Sequence, residues 1–205
     1  MKMLNIALTK GRLEKCTIEL LEKSGIDCEP LINKGRKLII NLDNRYNVVF
    51  AKAADVVTYV EYGVADVGVV GKDTLMEMNR AVYEIMDLDF GKCRFALAAL
   101  KDTDFYSGYN IKTIATKYPE VAKQFFDGKQ MDIEVVKIEG SVELAPILKL
   151  ADGIVDIVET GTTLKENGLE VVEFFADISA RLIANTASLK LKKQEIEELT
   201  ERLKS

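Results

Sequence analysis

Short, continuous apolar runs recur along this chain, and they restrict its fold more than any other feature. They lie at residues 4–8, 38–42, 48–50, 67–70, 95–100, 133–138, 154–158, 171–175 and 182–185. A run without strict alternation suits a strand covered on both faces. Amphipathic stretches at 13–23, 56–62, 119–126 and 163–167 lie between several of them. Interleaving of this kind predicts an α/β fold, with mostly parallel sheets and flanking helices. The punctuation agrees. Asp55 is placed to cap a helix that Gly63 ends, and Asp73 to cap the next one. Pro119 suits a first helical turn and Gly128 a helix end. Pro146 predicts a late helix start or a bend after Ser141.

The order of elements predicts two lobes, residues 1–89 with 178–205 and residues 90–177. The chain is expected to cross near 87–93 and to return near 174–181. Residues 188–205 read as one charged amphipathic helix whose stripe of Ile196, Leu199 and Leu203 docks on the first lobe.

Composition removes whole classes of function. Among 205 residues, 28 Lys and Arg face 33 Asp and Glu, a net charge of −5, so a general nucleic-acid binder is not expected. There is no His, which excludes His-based triads, His metal sites and His pH switches. Cys16, Cys28 and Cys93 lack metal-ligand spacing and fit reduced thiols in a cytoplasmic protein. No stretch is apolar enough for a signal peptide or a membrane span.

Chemistry concentrates in two places. After the run at 154–158 come Glu159-Thr160-Gly161-Thr162-Thr163 and a short helix ending near Gly168. Three hydroxyls, a permissive glycine and backbone N–H groups at a helix start suit a phosphate dianion; an ordinary turn with Thr caps is the plainer alternative. Asp152, Asp156 and Glu159 with Glu139 suit ribose hydroxyls or Mg²⁺ better than the phosphate itself, because like charges repel. The second place is Lys10-Gly11-Arg12, ending the first strand, where open α/β sheets bind ligands. Arg36, Lys52 and Lys72 also adjoin strands, and together these cations would suit a polyphosphate. The segment 63–73 is not a Walker A loop, since Asp66 and Asp73 stand where that motif needs Gly and Ser or Thr.

These segments together resemble the ATP phosphoribosyltransferase family. The likeness runs over the whole chain. It is most specific in Glu139-Gly140-Ser141-Val142-Glu143-Leu144-Ala145-Pro146, residues 150–164 and Asn167-Gly168-Leu169. Lys10-Gly11-Arg12-Leu13, Arg36-Lys37-Leu38, residues 55–63 and Gly71-Lys72-Asp73 add to it. The resemblance implies two lobes of periplasmic-binding-protein type with the active site in the cleft between them. It implies transfer of a 5-phosphoribosyl group from phosphoribosyl pyrophosphate to N1 of ATP, with Mg²⁺, opening histidine biosynthesis. The 5-phosphate and ribose fall to Glu139, Asp152, Asp156, Glu159, Thr160, Gly161, Thr162 and Thr163. Lys10, Arg12, Arg36 and Lys52 would stabilise departing pyrophosphate. Lys10, Gly11, Arg12, Asp66, Gly71, Lys72 and Asp73 would meet the nucleotide. An ending at Ser205 resembles the short form, expected as a homodimer within a hetero-oligomer that includes a regulatory subunit resembling histidyl-tRNA synthetase. Histidine regulation is then expected to reside outside this chain.

Two positions depart from the family: Lys52 stands where Arg is usual and Val57 where Pro is common. Lysine keeps the charge but loses the bidentate fork. Two other functions share the same features. One is a cytosolic phosphometabolite-sensing domain of periplasmic-binding-protein type. The other is a type I phosphoribosyltransferase, disfavoured because adjacent paired acids are missing before the Thr-rich loop.

Overall fold

The computed structural model describes residues 2–204. In chain order the elements of the first part are β1 (Leu4–Thr9), α1 (Arg12–Lys23), α2 (Glu29–Ile32), β2 (Ile39–Leu42), β3 (Tyr46–Ala51), α3 (Ala53–Glu61), β4 (Val67–Gly71), α4 (Lys72–Met78) and β5 (Tyr83–Asp87). Then follow β6 (Cys93–Leu100), β7 (Lys112–Thr116), α5 (Pro119–Gly128), β8 (Ile133–Lys137), α6 (Leu144–Ile147), β9 (Gly153–Val158), α7 (Thr162–Glu166) and β10 (Leu169–Ile178). The chain closes with β11 (Ala180–Ala184), α8 (Ser188–Leu191) and α9 (Lys193–Lys204). It forms two compact units, one reaching to Gly91 and resuming at Ser179, the other spanning Lys92–Ile178.

The first unit holds a sheet of order β2-β3-β1-β4-β11-β5, the second a sheet of order β10-β6-β9-β7-β8. Helices accompany both, as expected of an α/β chain, but the sheets are mixed rather than mostly parallel. Among the described residues four strand pairings are parallel, β1 with β3 and β4, and β7 with β8 and β9. The other five are antiparallel. The return of the chain accounts for two of the five. β11 follows β10 after one residue and enters the first sheet between β4 and β5, running against both.

Apolar content tracks position in the sheet. Central β1, β4 and β11 are buried almost throughout, whereas edge strand β2 alternates exposed and buried. In the first unit, Leu4, Ile6 and Leu8 pack with Val67, Val69 and Leu182 on one face. Ala7, Val56, Val60 and Ile183 pack on the other. Gly68 lets α3 approach β4, because a Cβ there would lie 2.9 Å from side-chain carbons of both Val56 and Val60.

Local expectations differ in places. α3 starts after Lys52, so Asp55 lies in its first turn rather than at its cap. Likewise α4 is capped by Gly71, and Asp73 lies within its first turn. Both acids still complement the helix dipole. Pro119 begins α5, and the start expected late before Pro146 falls at Leu144. The C-terminal helix is broken at Lys192 into α8 and α9. There the lysine turns inward, reaching Asp66 at 2.6 Å and the Met3 carbonyl at 2.8 Å. Ile196, Leu199 and Leu203 do pack into the first unit's core beside Leu4 and Tyr46. Ser205 lies outside the described residues.

Candidate active site

In each unit, the carboxyl ends of the parallel strands gather the candidate residues on one edge. At the first unit's edge, β1 runs into Lys10 and Gly11, β3 into Lys52, and β4 into Lys72. Parallel register aligns Leu8 with Phe50 and with Val69, so these three strand ends stand side by side. The Lys10 N–H donates to the Ala51 carbonyl at 2.9 Å, tying the first loop to the β3 end. Gly11 has φ +92, a conformation that favours glycine, and Arg12 opens α1. Arg36 precedes β2, whose Ile39 pairs with Val49 near the end of β3, so its loop reaches the same edge. Lys10, Arg12, Arg36 and Lys52 are exposed; Lys72 and Asp73 are half-buried.

The second unit repeats the plan with β7, β8 and β9. Beyond β9, Glu159 and Thr160 lead to Gly161 at φ +76, and α7 begins at Thr162. Left-handed Gly161 turns the chain sharply enough to bring the Thr160 and Thr162 hydroxyls within 3.0 Å of each other. Both are exposed, as is Thr163; the Thr162 N–H donates to the Thr160 hydroxyl at 3.4 Å, a weak bond that an anion at the helix start could replace. Glu139 lies in the turn after β8, its side chain mostly exposed and held 3.0 Å from Lys137, which keeps its carboxyl below the usual range. Asp156 lies within β9. Burial pushes its carboxyl up to about 6, Glu143 adds to the rise, and a backbone hydrogen bond at Ile157 and the charge of Lys117 oppose it.

Two predicted site residues stand elsewhere. Asp152 precedes β9, so the whole strand separates it from Thr160, about 20 Å at strand rise. Its carboxylate accepts the Thr113 N–H at 2.8 Å, and its own N–H donates to the Thr113 carbonyl at 2.8 Å. Asp66 precedes β4 in the same way and exchanges the same pair of bonds with Asn5, each 2.8 Å. It is buried, and its carboxylate also takes the Ser188 hydroxyl at 2.7 Å and the Lys192 ammonium at 2.6 Å. Neither acid reaches the edge where the loops gather. Conversely, Lys117 follows β7 onto the second unit's edge, and Arg94 pairs with Val158 there, its guanidinium 3.5 Å above the Phe174 ring. The signal for Lys117 was the short Thr-Ile-Ala-Thr strand before it.

Two α/β units with mixed sheets define a protein of the periplasmic-binding-protein fold class. The periplasmic aliphatic sulphonate binding protein SsuA from Escherichia coli shares it, with TM-score 0.60 and 9% identity over 99% of this chain and 72% of that one. At that identity the likeness concerns the fold alone. The family model described as HisG, ATP phosphoribosyltransferase, matches residues 52–205. ATP phosphoribosyltransferases from Clostridium kluyveri and Clostridium novyi are each 59% identical. They cover 97% and 98% of this chain, which spans 91% and 96% of theirs. The ATP phosphoribosyl transferase (HisG:HisZ) complex from Thermotoga maritima contains a chain 33% identical, with TM-score 0.86, over 98% of this chain and 97% of that one. The chain belongs to the ATP phosphoribosyltransferase family.

Proposed function

We propose that this protein transfers the 5-phosphoribosyl group of phosphoribosyl pyrophosphate to N1 of ATP, giving N1-(5-phosphoribosyl)-ATP and pyrophosphate, the first step of histidine biosynthesis. The observation that carries the reading is the Gly161 turn, which sets three exposed threonines at a strand end where a short helix begins. In this reading Thr160, Gly161, Thr162 and Thr163 hold the 5-phosphate, and Glu139 and Glu159 meet the ribose hydroxyls. Lys10, Arg12, Arg36 and Lys52 face phosphate charge, with Lys72 and Asp73 beside them. Asp66 and Asp152 are strand anchors.

A site without histidine suits this chemistry. Adenine N1 carries its own lone pair and is unprotonated at neutral pH, so attack needs no strong base. The barrier lies in bringing two polyanions together and in the charge that departs with pyrophosphate. Holding both substrates in line supplies roughly 7–11 kcal/mol in the favourable limit. Cations fixed at the leaving group stabilise the charge as it develops. Lys52 gives a point charge where the family usually has a fork, so Arg36 carries the bidentate contact.

Among the described residues no group of three or more Asp, Glu or Cys is arranged to hold a metal. Magnesium brought with the phosphate substrates would supply charge neutralisation at the diphosphate. No described helix is long and apolar enough to cross a membrane, and the reading sets the enzyme in the cytoplasm. The Thermotoga neighbour is a HisG:HisZ complex, and we extend a regulatory subunit of that kind to this chain. The test is to incubate the protein with ATP, phosphoribosyl pyrophosphate and Mg²⁺, alone and with such a subunit, and follow the absorbance of ribosylated adenine. Product that requires both substrates supports the reading; none in either arm contradicts it.

A further inference from the structure

At the site edge of the first unit, five residues on or beside neighbouring strands close into a ring. The Lys72 ammonium stands 2.5 Å from Glu84. Glu84 also takes Nη1 of Arg181 at 3.2 Å, and Nη2 of Arg181 reaches Asp87 at 3.0 Å. The Ser179 hydroxyl lies 2.8 Å from both Asp87 oxygens, and the Ser179 carbonyl accepts the Lys72 N–H at 2.9 Å. The ring joins the end of β4 to Glu84 near the start of β5 and Asp87 at its end, and to the start of β11. Arg181 is its most enclosed charged member. Its Nε is buried without a hydrogen-bond partner among the described residues, so its two outer nitrogens alone determine where it stands. A lysine could not reach both carboxylates in this way.

Four charges in this ring cancel, but not evenly. Glu84 has two cations, Lys72 and Arg181, whereas Lys72 has Glu84. If Lys72 turns to a substrate phosphate, Glu84 keeps Arg181 and is not left unpaired. We propose that Arg181 is a positioning residue for Lys72: by sharing Glu84 it holds the ammonium at the β4 end yet lets it exchange that carboxylate for the triphosphate of ATP. Without the shared guanidinium, Glu84 grips Lys72 as its sole cation and competes with the substrate.

The inference rests on the reading of Lys72 as a nucleotide contact, and the test separates the two. Arg181→Lys keeps the charge and removes the bridge. It should raise KM for ATP about fivefold and leave kcat within about twofold, the pattern of lost binding without lost transition-state stabilisation. In a Lys72→Met background the same substitution should add nothing, since two residues acting through one contact are not additive. An equal rise in both backgrounds would overturn the proposal and leave Lys72 in place. A Lys72→Met enzyme with unchanged KM for ATP would remove the reading of Lys72 and the proposal with it. Should Arg181→Lys fail to unfold cooperatively, Glu84→Gln carries the test. Freed of its competitor, Lys72 should bind better and KM for ATP should fall, but not in the Lys72→Met background. A KM that rises or stays constant overturns the proposal.

Discussion

Asp66 and Asp152 occupy equivalent places in the two units, and their surroundings show what each unit asks of the same device. Each follows an alanine, precedes a buried strand and exchanges one backbone and one carboxylate bond with a residue on the neighbouring parallel strand, Asn5 in one case and Thr113 in the other. The carboxylate continues the ladder by one further bond at the end where the strand begins, fixing register. Asp152 does only this and is exposed. Asp66 is buried and also holds Ser188 and Lys192, so the junction of α8 and α9 is tied to it. Strand beginnings carry these anchors, and in the proposed reading strand ends carry the ligand contacts.

The comparison is broken most forcefully at Asp66. Asp66→Ala leaves Lys192, Ser188 and the Asn5 N–H without their shared acceptor, and the loss should be about 3 kcal/mol, toward the lower figure for breaking a buried pair. Urea unfolding would measure it, and a loss below about 1 kcal/mol would mean the anchor is not where the C-terminal helices are held. At a strand end the effect moves from folding to binding. Gly161→Val puts a β-branched residue at φ +76, a conformation such residues avoid. Affinity for Mg²⁺-phosphoribosyl pyrophosphate should fall about a hundredfold while cooperative unfolding persists.

A third measurement uses Asp156, the acid that lies midway. Its folded carboxyl titrates at about 6, above the ordinary value near 4. At pH 3 both folded and unfolded forms are protonated and no penalty exists. As pH rises from about 4 to about 6 the unfolded chain ionises first, so stability falls by on the order of 3 kcal/mol. Asp156→Asn should abolish that fall. Parallel pH profiles for both proteins would show that Asp156 is not strained by its burial. The smallest effect belongs to Asp152→Asn, which keeps the shape and weakens one charge-assisted bond at an exposed site, costing about 1 kcal/mol. KM for phosphoribosyl pyrophosphate should not change.

What was legible in the sequence was local. Continuous apolar runs marked the central strands, and the Gly-Thr-Thr turn after β9 was readable because strand, turn and helix are contiguous. Two strands escaped. β5 carries Glu84 and Asp87 among its apolar residues and lies at a sheet edge, and β7 has a core of only Ile114 and Ala115 between threonines. Strand direction was not legible either, because the insertion of β11 between β4 and β5 depends on where the chain returns. The two aspartates were drawn to the site by nearness along the chain. Asp152 is close to the Thr-rich loop in sequence, but the strand between them carries it to the far end of the sheet. The repeated Ala-Asp before a buried run was the available signal, visible at 65–66 and 151–152.

The contrast between the two ends of β9 is tested most directly by calorimetric titration of Mg²⁺-phosphoribosyl pyrophosphate into Asp152→Asn and Gly161→Val. The account predicts affinity equal to the parent protein for Asp152→Asn and a severe loss for Gly161→Val. Weakened binding in Asp152→Asn, with binding retained in Gly161→Val, would contradict it.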